Sequence, residues 1–224
     1  GVGYPGWHIE CSCISMMNLG EYLDIHCGGV DNIFPHHTNE IAQSEAYLGH
    51  PWCSLWFHVH HLNDESGKMS KSKGEFLTVD LLVKKGYDPL AYRYFCLESH
   101  YRKPLTFSYD ALDNASKAYS RLIRRIASLE EPHEEPDPVF VQRYEDKFRK
   151  LVGNDLNTAA GMTLLYDILK EDASCASKYA AIDSLDRVLA LSLTAKARAL
   201  KKEDEGPAAA GADQESEEIE AAIA

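Results

Sequence analysis

Leu23-Asp24-Ile25-His26-Cys27-Gly28-Gly29-Val30-Asp31 leads into Phe34-Pro35-His36-His37-Thr38-Asn39-Glu40-Ile41, and this stretch decides the fold. Leu23-Asp24-Ile25 alternates apolar and polar residues as a short strand does, and Cys27-Gly28-Gly29 reads as the turn after it. Pro35-His36-His37 then opens a helix marked by Ile41, Glu45 and Leu48. Phe57-His58-Val59-His60-His61-Leu62 alternates again and predicts a second strand, which runs into a polar loop from Asn63 to Gly74. Residues 1 to about 105 therefore read as α/β.

Downstream the period changes. Asp88-Pro89 is a helix start, since Asp caps and Pro fits the first helical position, and Leu90, Tyr94 and Leu97 follow on one face. From Tyr109 the apolar residues Leu112, Ala115, Tyr119, Leu122, Ile126 and Leu129 fall at helical spacing. Residues 130–138 hold three prolines among acids and read as a linker. Further stripes follow: Val141, Tyr144, Phe148 and Leu151; Met162, Leu165 and Leu169 after a cap at Asn157 or Thr158; and Ile182, Leu185 and Leu189. The stretch from Gly206 to Gly211 is rich in Ala, Gly and Pro and reads as mobile.

Composition narrows the class. The chain has 224 residues and a net charge of −12, and eight acids fall from Glu203 onward with no Lys or Arg, leaving only −4 for the rest. That balance argues against a nonspecific nucleic-acid packager, though a local basic stripe can still bind RNA. No apolar run is long enough to span a membrane and no signal peptide is visible, so a cytoplasmic location is expected. The six cysteines are irregularly spaced and read as reduced thiols, with at least one a candidate metal ligand.

Four constellations can carry chemistry. Cys11 with His36 and Glu40 offers a thiolate, an imidazole and a carboxylate, all good zinc ligands, and the His-x-x-x-Glu spacing puts two of them one helical turn apart. On spacing alone, His36 can equally be a helix-start residue bonded to backbone. Gly67-Lys68-Met69-Ser70-Lys71-Ser72-Lys73-Gly74 can approach a polyphosphate and offset charge on a leaving pyrophosphate, or be a solvated basic loop. Trp7 can floor a small-molecule pocket or serve as a core aromatic. In the His26-to-Asp31 run, Gly28-Gly29 lets a ligand near the backbone and Asp31 can accept from a ribose, or the run is a plain turn.

Taken together and in order, these runs resemble the motifs of cysteinyl-tRNA synthetases, class I aminoacyl-tRNA synthetases. Gly6-Trp7-His8-Ile9-Glu10-Cys11-Ser12, His26 to Asp31, Phe34 to Ser44, Lys68 to Ser72, Ser99-His100-Tyr101-Arg102 and Asn154-Asp155-Leu156-Asn157-Thr158 carry the resemblance. It is dense to about Ser108 and looser to about Leu200.

The resemblance implies an α/β fold, the C-terminal half of a Rossmann-like parallel-sheet catalytic domain followed by an α-helical bundle. Residues 1–108 would be the partial catalytic domain with the zinc site and lysine loop, and 109–138 a connecting helix and linker. Residues 139–202 would be a helical tRNA-binding domain, and 203–224 an acidic tail leading into a truncated helix. It implies ATP-dependent ligation of cysteine to its tRNA through cysteinyl-adenylate, with magnesium accompanying ATP. By match, zinc held by Cys11, His36 and Glu40 recognises the substrate thiol, a softer ligand than the hydroxyl of serine. Trp7 lines the cysteine pocket, and His26, Gly28, Gly29 and Asp31 face the nucleotide. Lys68 and Lys71 belong to the lysine loop, Lys71 steadying the departing pyrophosphate. His37 orients a ligand.

Cysteine, ATP and tRNA are the expected partners, with no membrane, and a monomer is expected. The family's upstream ATP motif and a further zinc-binding cysteine have no counterpart in this chain, and Cys27 stands where many members have Gly. Both ends read as cut, so the piece alone is expected to be marginally stable and inactive. Two alternatives remain: a ligase joining cysteine to an amino-sugar by the same adenylate chemistry, and a non-catalytic zinc-binding fragment.

Overall fold

A computed structural model describes residues 2–3, 5–64, 67–68 and 78–205 of the chain. By contact it divides into two compact units, Gly1–Gly74 with Tyr101–Phe107 and Glu75–His100 with Ser108–Ala224. Residues 75–100 thus group with the helices that follow 108.

In the first unit, helix α1 (His8–Leu19) leads into strand β1 (Leu23–Gly29). A short 3-10 turn at Val30–Asn32 and a wide turn at Ile33–His37 then deliver the chain to α2 (Thr38–Leu48). Phe34 in that turn is extended (φ −137°, ψ 132°), as residues before proline tend to be, and the Phe34–Pro35 peptide is cis. Gly49 ends α2 in the left-handed region that glycine enters without strain. Strand β2 (Cys53–Val59) then pairs parallel with β1, Leu23 against Cys53 through Gly29 against Val59. A parallel pair needs a crossover, and α2 supplies it.

The turn expected at Cys27–Gly29 is therefore strand, because pairing with a segment some thirty residues on holds Gly28 and Gly29 extended. The strand expected at 57–62 also divides. After Val59 the chain leaves β1, and β3 (Leu62–Asp64) pairs with new partners, antiparallel to β4 (Gly67–Lys68) and parallel to β5 (Leu105–Thr106). The polar loop expected from Asn63 thus begins as strand, and residues 65–66 and 69–74 of it lie outside the described residues.

Leu23 and Trp52 anchor the apolar core of this unit, and the Leu23 amide donates to the Trp52 carbonyl at 2.9 Å. Phe107 is buried in the same unit, and the other buried residues there are polar: Ser12, His37, Glu40 and Ser44. Opposite them, Ile25 and Leu55 pair in register and are 58% and 51% exposed. The α2 side of this sheet is thus packed with polar groups, while the reverse side presents apolar residues to solvent.

The second unit is helical: α3 (Val79–Lys84), α4 (Pro89–Leu97), α5 (Tyr109–Ala127), α6 (Pro138–Val152), α7 (Thr158–Lys170), α8 (Cys175–Leu189) and α9 (Leu193–Glu205). Side-chain caps start most of them. Thr78, Asp88, Ser108, Asp137, Asn157 and Ser174 each accept from a backbone amide in the first turn, satisfying donors that a helix leaves unpaired. The stripe of α5 is buried as expected from Leu112 to Ile126, and the helix packs on α4 and α9. Leu129 lies beyond its end.

Elsewhere the burial turns by about one residue from the expected stripes. Ala91, Tyr94 and Phe95 are buried on α4, Phe140, Tyr144 and Phe148 on α6, and Met162, Leu164, Leu165 and Ile168 on α7. Each of these helices packs against more than one neighbour, which widens the apolar face beyond a single row. Ile182, Leu185 and Leu189 of α8 are buried as expected.

After α8 the chain turns through Ala190 and Ser192, both at positive φ, and Asp186 braces the turn by accepting from the Leu191 and Leu193 amides at 2.8 Å each. Between α6 and α7, Asp155 and Leu156 also have positive φ, and Asp155 Oδ2 lies 3.8 Å from His100 Nε2. Two runs far apart in sequence therefore meet there. No helix among the described residues is long and apolar enough to cross a membrane. Residues 206–224, which hold the Ala/Gly/Pro stretch and most of the acidic tail, lie outside the described residues.

Candidate metal centre

The site grows from the polar packing between α1 and α2. A helix that lies on a sheet normally buries an apolar stripe. The buried residues of α2 are instead Glu40 and Ser44. Ser12 of α1 faces them, taking hydrogen bonds from Ser44 Oγ at 2.9 Å and from Gln43 Nε2 at 2.5 Å. Gln43 Nε2 also donates to the His8 carbonyl at 2.9 Å, and Gln43 Oε1 lies 2.8 Å from His8 Nδ1. These bonds fix the register of one helix on the other. Cys11, beside Ser12, is thereby presented to the start of α2.

The ligand atoms of Cys11, His36 and Glu40 all lie within 4.8 Å of one another. Glu40 is fully buried, with Oε1 2.7 Å from His36 Nε2 and Oε2 2.8 Å from His26 Nε2. Short as these approaches are, they are not aligned as hydrogen bonds, and both Glu40 oxygens and His26 Nε2 are buried without a hydrogen-bond partner among the described residues. A buried carboxylate left this way is costly unless something else compensates it. Sulfur, imidazole nitrogen and carboxylate oxygen converging on one point match the donor set of a zinc site, and the residues present fit that ion. A second triad shares the same carboxylate: His26, His37 and Glu40, also within 4.8 Å.

The surroundings tune these groups. Burial, then the carboxylates of Glu40 and Glu10, push the Cys11 thiol above its ordinary range. A bound cation would act in the opposite sense, since it stabilises the thiolate. Burial foremost, then the neighbouring rings of His26, His58 and His36, lowers His37 to about 4. Neutral at pH 7, it shares a hydrogen bond with His58, Nδ1 to Nε2 at 2.8 Å. The His26 ring sits 5.6 Å from Trp52 and 4.9 Å from Trp56, centroid to centroid, so aromatic walls border the carboxylate.

Gly28 is required by this packing. A Cβ there would lie 2.6 Å from His37 Cε1 and 2.8 Å from Asn32 Nδ2. At Gly29 a Cβ would lie 2.5 Å from Asp31 Oδ1. Asp31 Oδ1 is 3.3 Å from His61 Nε2.

Among the residues expected from sequence, Cys11, His36 and Glu40 come together. His26, expected on the nucleotide side, joins Glu40 and His37. Gly28, Gly29 and Asp31 lie at the carboxyl end of β1, where ligands of parallel sheets tend to bind. Trp7 stands at the N-cap of α1, one turn before Cys11, and is 76% exposed, so it is not a core aromatic. Lys68 belongs to β4, opposite Asn63, and Lys71 lies outside the described residues. Sequence reasoning missed His8, Ser12, Gln43, Ser44, His58 and His61. The one local signal was the polar run Glu40, Gln43, Ser44 on the face of α2 where apolar residues belong.

Comparison with known proteins follows the same residues. Residues 1–117 match the family model described as the tRNA synthetases class I (C) catalytic domain. The cysteine–tRNA ligase 1 of Burkholderia lata is 43% identical over 194 residues, covering 86% of this chain and 40% of that protein. The cysteine–tRNA ligase of a Picosynechococcus species is 46% identical over 171 residues, covering 76% and 36%. That of Novosphingobium aromaticivorans is 41% identical over 206 residues, covering 86% and 42%. The chain spans about two fifths of the length of these relatives. With more than half of its residues matched by the family model, the chain belongs to the class I (C) tRNA synthetase catalytic-domain family.

Proposed function

We propose that this chain is part of a cysteine–tRNA ligase, which joins cysteine to its tRNA through cysteinyl-adenylate at the expense of ATP. Magnesium accompanies the nucleotide, the acceptor is tRNA, and the enzyme works as a cytoplasmic monomer. Cys11, His36 and Glu40 hold zinc, and that ion, when bound, supplies a soft Lewis acid that retains a thiol as its thiolate. The observation that carries the reading is the convergence of these three ligand atoms on a buried carboxylate that lacks a hydrogen bond.

The chain's own residues divide the remaining work. Gln43 and Ser12 lock α1 on α2 and so hold Cys11 at the site. His37 and His58, bonded ring to ring, wall the pocket from the sheet side and limit water around Glu40. Trp7 covers the amino-acid side from the start of α1. At the end of β1, the Gly28–Gly29 backbone and Asp31 meet the adenosine, with His26 bridging from the nucleotide side to Glu40. The ammonium groups of Lys68 and Lys71 offset charge on the departing pyrophosphate. A site that depends on one sulfur-specific bond rejects serine more strongly than a merely hydrophobic pocket does. The relatives named as cysteine–tRNA ligases support the substrate assignment.

Zinc content tests the reading. The purified chain is expected to bind close to one zinc per molecule, and both Cys11→Ser and His36→Ala are expected to lower that content sharply while leaving the circular dichroism spectrum unchanged. A folded chain that binds no zinc, even when the remainder of the ligase is supplied in trans, would refute it.

A further inference from the structure

Glu40 is flanked on two sides. His36 precedes it by four residues and His37 by three, so both imidazoles come beside it where the chain enters α2. On the sheet, His26 and Gly28 are two residues apart and share one face of β1. That face meets α2: His26 Nε2 lies 2.8 Å from Glu40 Oε2, and a Cβ at Gly28 would come within 2.9 Å of His37 Nε2. His58, opposite Gly28 on β2, bonds the other nitrogen of His37, Nδ1, at 2.8 Å. Strand and helix thus bring His26 and His37 to the same carboxylate that Cys11 and His36 approach.

The donors sort into two sets. The ligand atoms of Cys11, His36 and Glu40 lie within 4.8 Å of one another, as do those of His26, His37 and Glu40, and the two sets share only Glu40. His36 Nε2 approaches Oε1, whereas His26 Nε2 approaches Oε2. An ion on Cys11 and His36 would satisfy one carboxylate oxygen. It would leave Oε2 and His26 Nε2 buried and close together, with no aligned hydrogen bond among the described residues. Polar atoms buried against each other in this way are costly unless a shared proton or cation compensates them.

We propose that His26, His37 and Glu40 hold a second divalent transition-metal ion, with Glu40 bridging it to the zinc of Cys11 and His36. The bridge rests on the zinc reading given above. A carboxylate that gives one oxygen to each ion sets such a pair about 3.5–4 Å apart. Two imidazoles and a carboxylate leave a fourth position open, and they suit zinc or cobalt better than magnesium or calcium, which prefer oxygen ligands. With the metal on Nε2, His37 carries its hydrogen on Nδ1 and donates it to His58, the outer bond that orients a ligating imidazole. The rings of Trp52 and Trp56, 5.6 and 4.9 Å from that of His26, border the site and keep its dielectric low. Lacking a thiolate, this set binds more weakly than the first. It therefore fills second, beyond the zinc expected in the purified chain.

Cobalt(II) titration of the metal-free, refolded full chain tests the site, because sulfur-to-cobalt charge transfer reports only the ion on Cys11. In the parent, the charge-transfer band is expected to saturate at the first equivalent while the d–d absorption rises to a second. The electron paramagnetic resonance signal of the first ion should broaden as its neighbour binds. His26→Gln and His37→Gln should each weaken the second equivalent by roughly tenfold or more, and leave the midpoint of the charge-transfer band within about twofold of the parent. Cys11→Ser should abolish the band and retain a sulfur-free equivalent.

A titration that ends at the first equivalent would overturn the proposal. So would a second equivalent that persists undiminished in both histidine variants. Loss of the charge-transfer band in those variants would overturn it too, since it would mean a single ion shared by all the donors. Should His37→Gln fail to refold, His26→Gln decides alone. A sulfur band without a second equivalent removes this site and leaves the zinc reading standing. A sulfur-free equivalent that His26→Gln abolishes, with no sulfur band at any ratio, removes the zinc reading and keeps the histidine site without its bridge.

Discussion

Glu40 Oε2 lies 2.8 Å from His26 Nε2, although one residue comes from a helix and the other from the strand beneath it. The pair is buried, and neither atom has an aligned hydrogen-bond partner among the described residues. With His36 Nε2 2.7 Å from its second oxygen, this buried carboxylate has two imidazoles beside it and no hydrogen bond to offset its charge. In the absence of metal, Glu40→Gln is therefore expected to stabilise the chain, by about 1–3 kcal/mol, since it removes an uncompensated buried charge. The same substitution should lower zinc content. Urea titration of the metal-free protein and metal analysis of the refolded protein together decide it. A less stable metal-free variant would mean that His26 and His36 already compensate Glu40 as cations.

The clamp between α1 and α2 gives a second expectation. Gln43 bonds the His8 carbonyl and Ser12 Oγ at once, and neither partner is a metal ligand. Gln43→Leu preserves bulk but removes both of these bonds and the one between Gln43 Oε1 and His8 Nδ1. Zinc affinity, measured by competition with a chromophoric chelator, should fall about 10–100-fold, the usual effect of losing a group that orients a ligand. Unchanged affinity would show that Cys11 reaches the site without this clamp.

Gly28 offers a steric test. A methyl group there would meet His37 Cε1 at 2.6 Å and Asn32 Nδ2 at 2.8 Å, closer than real contacts allow. Gly28→Ala is expected to cost about 1–3 kcal/mol by overpacking. It should also shift the imidazole resonances of His37 and His58, because the ring that must move is hydrogen-bonded to the other. A melt within a degree of the parent would show that His37 moves aside freely.

How much of this was legible in the sequence depends on the range of the interactions. The buried stripe of α5 follows from a period inside one continuous helix, and it was read correctly from Leu112 to Ile126. The helix starts at Asp88 and Asn157 were legible for the same reason, since a cap and its amides are neighbours in sequence. The extension of β1 through Gly29 was not, because pairing with β2 fixes it, and a Gly-Gly pair looks like a turn until its partner is known. Cys11, His36 and Glu40 stood out by residue type and by resemblance. The contact of His37 with His58, and the placing of His26 against Glu40, depend on how strand and helix stack, which no local spacing encodes.

The turn after α8 carries the last expectation. Asp186 accepts from the Leu191 and Leu193 amides, one with each carboxylate oxygen, across a turn whose residues Ala190 and Ser192 have positive φ. Tyr119 of α5 donates to the Leu191 carbonyl at 2.6 Å, so α5, α8 and α9 meet at this point. Without the carboxylate, two amides lose their acceptor and the strained residues lose the brace that holds them. Asp186→Ala should destabilise the chain by about 2–4 kcal/mol, more than an ordinary cap, because two bonds are lost together. Ala190→Gly at the same turn should be neutral or mildly stabilising, since it relieves the positive φ. Chemical denaturation of both variants separates the bracing from the strain. If Asp186→Ala costs no more than a single surface substitution, the turn is held by the Tyr119 bond and the packing of Leu191 instead.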